Sequence, residues 1–82
     1  GEPEEALLQG LKYAKTANDI FTLLTRVPSE LRLKPGIQEI VASKIEGAEG
    51  SLSEFTSLVP LIPVGTKARL EIDKKIFLLP PK

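Results

Sequence analysis

A chain of 82 residues with 41% hydrophobic and 27% charged side chains has the size and balance of one small globular domain, outside the range of disordered chains. Its 11 basic and 11 acidic side chains cancel, so no overall field gathers phosphate backbones or anionic headgroups. Cysteine and histidine are both absent, which excludes disulfides, thiol chemistry, Cys-based metal sites and every Ser-His or Cys-His nucleophile pair.

In chain order, Gly1-Glu2-Pro3-Glu4-Glu5 sets a proline and carboxylates where a helix N-terminus favours them, and a first helix is predicted from near Pro3. Leu7, Leu8, Leu11 and Ala14 form its apolar stripe, with Gln9, Lys12 and Lys15 facing away. Thr16, Asn18 and Asp19 are cap-type residues, after which Ile20, Phe21, Leu24 and Val27 resume the helical period as a second helix or as the far part of one long bent helix. Pro28 ends that segment at Val27 or just before, because it disfavours the α conformation in the residue preceding it. A link over 29–34 leads to Pro35, which opens a third helix carrying Ile37, Ile40, Val41 and Ile45 and closing at Gly47 or Gly50. Ser51-Leu52-Ser53-Glu54 matches a capping box, so a short fourth helix with Phe55, Leu58 and Val59 is expected before Pro60.

From Lys67 the apolar period drops to two. Ala68, Leu70 and Ile72 alternate with Lys67, Arg69, Glu71 and Asp73, which predicts a half-buried strand with Arg69 and Glu71 in solvent. Asp73-Lys74-Lys75 would turn the chain, and Ile76 to Leu79 would pair back before Pro80 and Pro81. The expected fold class is therefore α+β, three or four short helices followed by a C-terminal antiparallel β-hairpin packed on them, in one domain over 1–82 without internal repeats. The absence of methionine, the initiator included, is expected of a processed product or, in preference, of a segment cut from a longer protein. No retained signal peptide is recognisable, and no compartment is assigned.

Helices followed by a hairpin resemble, in element order, the winged-helix domains. That resemblance would make the segment after Pro35 a recognition helix and Asp73 to Lys75 a wing tip, with Lys67, Arg69, Lys74 and Lys75 as the nucleic-acid-binding cations. The outward residues of such a helix, Gln38, Glu39, Ser43, Lys44 and Glu46, include carboxylates that oppose a phosphate backbone, and Glu71 and Asp73 dilute the basic hairpin. Nucleic acid is thus the less favoured partner.

Other patterns have ordinary structural explanations. Gly36, Gly47, Gly50 and Gly65 fit turns and caps, and neither GxGxxG nor GxxxxGKS/T occurs. Ile20-Phe21-Thr22-Leu23-Leu24 resembles groove-docking helical motifs, but a chain this small needs such residues for its core. Glu46 and Glu49 lack EF-hand spacing, so no metal and no cofactor is expected. The longest uncharged stretch, Phe55 to Thr66, is broken by Pro60, Pro63 and Gly65 and falls short of the ~20 apolar residues of a membrane span. Its centre, Leu58 to Val64, together with Ile76 to Leu79 holds more apolar surface than loops and tails usually carry, so Leu61, Ile62, Val64 and Phe77 are the candidate partner-binding residues. The expectation is a non-catalytic protein-protein interaction or assembly module of a larger protein. Its partner would be another protein, an adjoining domain of the parent chain or a second copy in a homo-oligomer.

Overall fold

In the computed structural model, residues 2–80 and the side chains of 3–80 are described. α1 (Glu2–Tyr13) buries Leu7 and Leu11 one turn apart, and Ala14 continues the stripe beyond its end. The chain then breaks at a capping box. Thr16 Oγ1 accepts from the Asp19 amide at 3.1 Å, and the Asp19 carboxylate accepts from the amides of Thr16 at 3.1 Å and Lys15 at 3.0 Å. α2 (Ala17–Leu24) is accordingly a separate helix, burying Ala17, Ile20 and Leu24, and not a continuation of α1. Gly10 lets the two helices meet closely, since a Cβ there would collide with Leu23.

Pro28 forms the N-cap of a single helical turn, α3 (Ser29–Arg32), where a plain link is expected from the sequence. Pro35 occupies the first turn of α4 (Pro35–Gly47), whose buried face is Ile37, Gln38, Val41, Ala42 and Ile45. The capping box at Ser51 starts α5 (Leu52–Thr56): Ser51 Oγ accepts from the Glu54 amide at 3.3 Å, and Glu54 Oε1 accepts from the Ser51 amide at 2.7 Å. Phe55, Leu58 and Ile62 enter the core around a 3-10 turn, Val59–Leu61. The two capped turns are joined directly. The Ala17 amide donates to the Glu49 carbonyl at 2.8 Å and the Glu49 amide donates to the Lys15 carbonyl at 3.1 Å, an isolated parallel bridge between Thr16 and Glu49.

The C-terminal segment overturns the expected fold class. Lys67–Leu78 is one α-helix, α6, and the described residues contain no strand and no sheet, so the domain is all-helical with six α-helices and not α+β with a C-terminal hairpin. The winged-helix element order falls with it: Asp73, Lys74 and Lys75 lie within a helix, not at a wing tip. The period-two pattern has a helical cause. Ala68 and Ile72 are fully buried one turn apart, whereas Leu70 is 58% exposed, and it is Arg69 and Glu71 that are half-buried. One outward leucine between two inward residues imitates strand alternation. Helix is favoured locally by the Thr66 cap, whose Oγ1 accepts from the Arg69 amide at 3.2 Å, and by the pairs Arg69–Asp73 at 3.2 Å and Lys74–Glu71 at 3.3 Å at helical spacing.

α4 and α6 form the most extensive helix contact. At its head lies Gln38, among the described residues the one buried polar side chain, with both ends of its amide engaged. Nε2 donates to the Arg32 carbonyl at 2.8 Å, and Oε1 accepts from the Ala68 amide at 2.8 Å, so one side chain satisfies the end of α3 and the first turn of α6. The domain measures 40 × 25 × 17 Å, and the shortest dimension accommodates about two helix layers at the usual ~8–10 Å spacing. A two-layer domain leaves each helix a solvent face.

Three stability measurements check this architecture. Ile72→Ala should cost about 2–5 kcal/mol in urea unfolding while Leu70→Ala stays within about 0.5 kcal/mol; similar losses at both sites would restore the strand register. Gln38→Leu should cost about 1–3 kcal/mol by leaving the Ala68 amide and the Arg32 carbonyl unpaired; an unchanged midpoint would show that the bridge is dispensable. The amides of Lys15, first, and Thr16 hold the Asp19 carboxyl below its ordinary range. A lowered folded-state pKa gives stabilisation that is complete above the unfolded value and lost as pH falls through the folded one, so Asp19→Asn should flatten the acid limb of the melting-temperature profile. An acid limb identical to wild type would rule the cap out as a source of acid sensitivity.

Candidate interaction surface

At ~100° per residue, the side chains of α6 sort into two sides. Ala68 and Ile72 point into the core with Ile76 and Leu79 packed against it, while Leu70, Asp73, Lys74 and Phe77 lie along the opposite side, spaced i, i+3, i+4 and i+7. Leu70 is 58% exposed, Phe77 87% and its neighbour Leu78 76%. They form an apolar strip interrupted by Asp73 and Lys74.

The residues suggested by the sequence are not brought together. Ile62 is buried in the core, Leu61 is half-buried against it, Val64 stands exposed in the loop before α6, and Phe77 sits near the far end of that helix. The apolar run Leu58 to Val64 is thus largely absorbed by the domain itself, because Leu58 and Ile62 are core residues. Phe77 alone of the four belongs to the strip. Leu70 and Leu78 complete it, and the signal for them was the seven-residue interval from Leu70 to Phe77 once the segment is helical.

The four candidate cations all lie on α6, spread around its circumference and engaged within the domain. Lys67 pairs with Glu39 at 2.6 Å, Lys74 with Glu71 at 3.3 Å and Arg69 with Asp73 at 3.2 Å. Arg69 also donates to the Ile62 carbonyl at 2.9 Å, on the side of α6 away from Lys67 and Lys74. Lys75 donates to the Glu46 carbonyl at 2.8 Å and lies 5.3 Å from the Phe55 ring centre. On α4, Gln38 is buried, not outward, and Lys44 donates to the Lys12 and Ala14 carbonyls at 3.0 and 3.4 Å, covering the end of α1.

Elsewhere, the open hollow over α5 is lined by Ser51, Leu52, Ser53, Thr56 and Ser57, but its hydroxyls are turned to local use. Ser51 caps the helix, Thr56 donates to the Leu52 carbonyl at 2.8 Å, and Ser57 to the Ser53 carbonyl at 2.9 Å. Among the described residues no group of three acidic side chains converges on a possible metal position, and no helix is long and apolar enough to cross a membrane. Comparison with protein-family models, with curated proteins and with solved structures gives no match.

With its four candidate cations spread around α6 and not gathered on one face, the domain should show no tight binding to duplex DNA at physiological salt. Fluorescence anisotropy is the check; submicromolar affinity at that salt would mean that phosphate displaces Glu39 and Glu71 from their lysines.

Proposed function

We propose that this domain is a non-catalytic protein-interaction or assembly module whose docking surface is the outer face of α6. The observation that carries the reading is Phe77, 87% exposed and two helical turns from Leu70 on the same face. Aromatic side chains supply a large contact area at small conformational cost and are common anchors at interfaces. The rest of the molecule sharpens the contrast, since nine large side chains among the described residues are fully buried. Apolar area left out of such a core is available to a partner. Asp73 and Lys74 lie between the two anchors and flank the middle of the strip, where their charges set orientation more than affinity.

Photo-crosslinking in the native cell tests the reading. A photoreactive aromatic in place of Phe77 should give a discrete cross-linked protein product, reduced severalfold by Leu70→Lys, whereas the same group in place of exposed Ser53 on α5 should not. Equal yields from the two positions, or indifference to Leu70→Lys, would remove α6 as the docking face.

A further inference from the structure

We infer that the chain is an array of one repeated helical hairpin, and that the outer face of α6 is the stacking surface for the next hairpin of that array. The inference rests on the docking reading above and adds what docks.

Spacing, caps and backbone recur together. Leu7, Leu11 and Ala14 return as Val41, Ile45 and Ala48 along α4 and as Ile72, Ile76 and Leu79 along α6, each set at i, i+4 and i+7 and each in the core or packed against it. A capping box follows the first two sets, at Thr16–Asp19 and at Ser51–Glu54, and a shorter return helix opens from each, α2 and α5. Val27-Pro28 follows the first return and Ile62-Pro63 the second. Ala48 leaves α4 at φ −78°, ψ 149°, and Leu79 leaves α6 at φ −78°, ψ 141°, so the third set ends on the same extended backbone. The period is about 31–35 residues, within the range of helical-hairpin repeats. Few residue identities carry it, which is why the sequence alone suggests no repeat.

The contacts recur as well, and they fix the direction of stacking. Lys34, at the start of α4, pairs with Glu4 in the first turn of α1 at 2.8 Å; Lys67, at the start of α6, pairs with Glu39 near the start of α4 at 2.6 Å. Toward the other end, Lys44 donates to the Lys12 carbonyl at 3.0 Å and Lys75 to the Glu46 carbonyl at 2.8 Å. Each of these two lysines directly precedes the second member of its apolar set, and each carbonyl belongs to the residue directly after the second member of the preceding set. α1, α4 and α6 therefore lie parallel, each laid against the one before. The parallel bridge between Thr16 and Glu49 joins the turns that follow α1 and α4, and α2 touches α5 in the second layer.

The occupant of the α6 face follows from position. α4 receives α6 through Gln38, Glu39 and Glu46. Counted from the apolar set, the same positions on α6 are Arg69, Leu70 and Phe77. The occupant is thus a further helix parallel to α6. It carries an apolar side chain at the place of Lys34 and Lys67, because Leu70 replaces the glutamate there, and a lysine or arginine at the place of Lys44 and Lys75 for the Phe77 carbonyl. The terminal helix of such an array needs a polar outer face. α6 presents Leu70, Phe77 and Leu78 instead.

The test is to supply the hairpin. Residues 1–79 followed by a duplicate of residues 49–79, with Lys67→Leu in the duplicate, place a return helix and a parallel helix after α6 in the register seen after α4. The extended chain should unfold in urea in one transition, with an m-value about a third larger and a higher midpoint than the original chain. Leu70→Lys in the first α6 should lower the midpoint of the extended chain and leave that of the original unchanged. The chain has no cysteine of its own, so single thiols report burial. Cysteine in place of the first Phe77 should react with a thiol reagent about tenfold or more slowly in the extended chain, whereas cysteine in place of exposed Gln9 on α1 should react equally in both. Equal rates at position 77, a separate transition for the duplicate, or a Leu70→Lys effect that is the same in both chains overturns the inference. A discrete cross-linked product from position 77 in the cell, obtained alongside any of those results, leaves α6 as a docking face for a partner of another kind.

Discussion

The bridge made by Gln38 fixes how α6 lies, and the surface chemistry of the domain follows from that orientation. A glutamine buried on α4 would be costly with either end of its amide unpaired, so its geometry is demanding. Oε1 reaches the Ala68 amide at the start of α6, and Nε2 reaches the carbonyl that ends α3. Together with Ala68 and Ile72 packed below it, this sets the rotation of α6 about its own axis. Leu70 and Phe77 then have no route to the core: they stand on the far side because the near side is already assigned.

Where helix signals were local, the fold was legible in the sequence. The apolar stripes of α1, α2 and α4, the proline boundaries at Pro28 and Pro35, and the Ser51 capping box all correspond to observed elements. A short apolar alternation, in contrast, is ambiguous between a strand and a helix with residues on both sides. Over Lys67 to Leu79 the competing clues favoured helix: Thr66 as N-cap, lysine, arginine, glutamate and leucine as good helix formers, and only two β-branched residues, Ile72 and Ile76. The single turn of α3 was hidden for another reason. Four residues carry too little periodicity to register, and the turn is stabilised from outside, by Gln38 at its end and by Leu31 in the core.

The candidate surface was half legible for the same reason. Composition revealed more apolar side chains near the C-terminus than loops and tails require, and Phe77 was among those singled out. Which of them face outward depends on the rotation of α6 and on the path of the 3-10 turn, neither of which has a local sequence signal. Ile62 and Leu61 therefore went from candidate anchors to core and core margin, and Leu70 went the other way. Charge was misleading in a similar fashion: Lys67, Arg69, Lys74 and Lys75 look like a cluster in sequence, yet a helix distributes them around its circumference, each toward a carboxylate or a carbonyl.

The distribution of size on α6 separates what folding requires from what it leaves over. On the buried face Ala68 is a small residue that suits close helix packing, while Leu70, Phe77 and Leu78 occupy the outer positions. A helix selected only to stabilise this domain would carry its large apolar groups inward and polar ones outward. α6 carries Ile72 inward beside the small Ala68 yet leaves Leu70, Phe77 and Leu78 outward, and between Leu70 and Phe77 it sets one acid and one base. A surface serving only solubility needs neither the phenylalanine nor that spacing. The inner face secures the helix, and the outer face is left organised for contact.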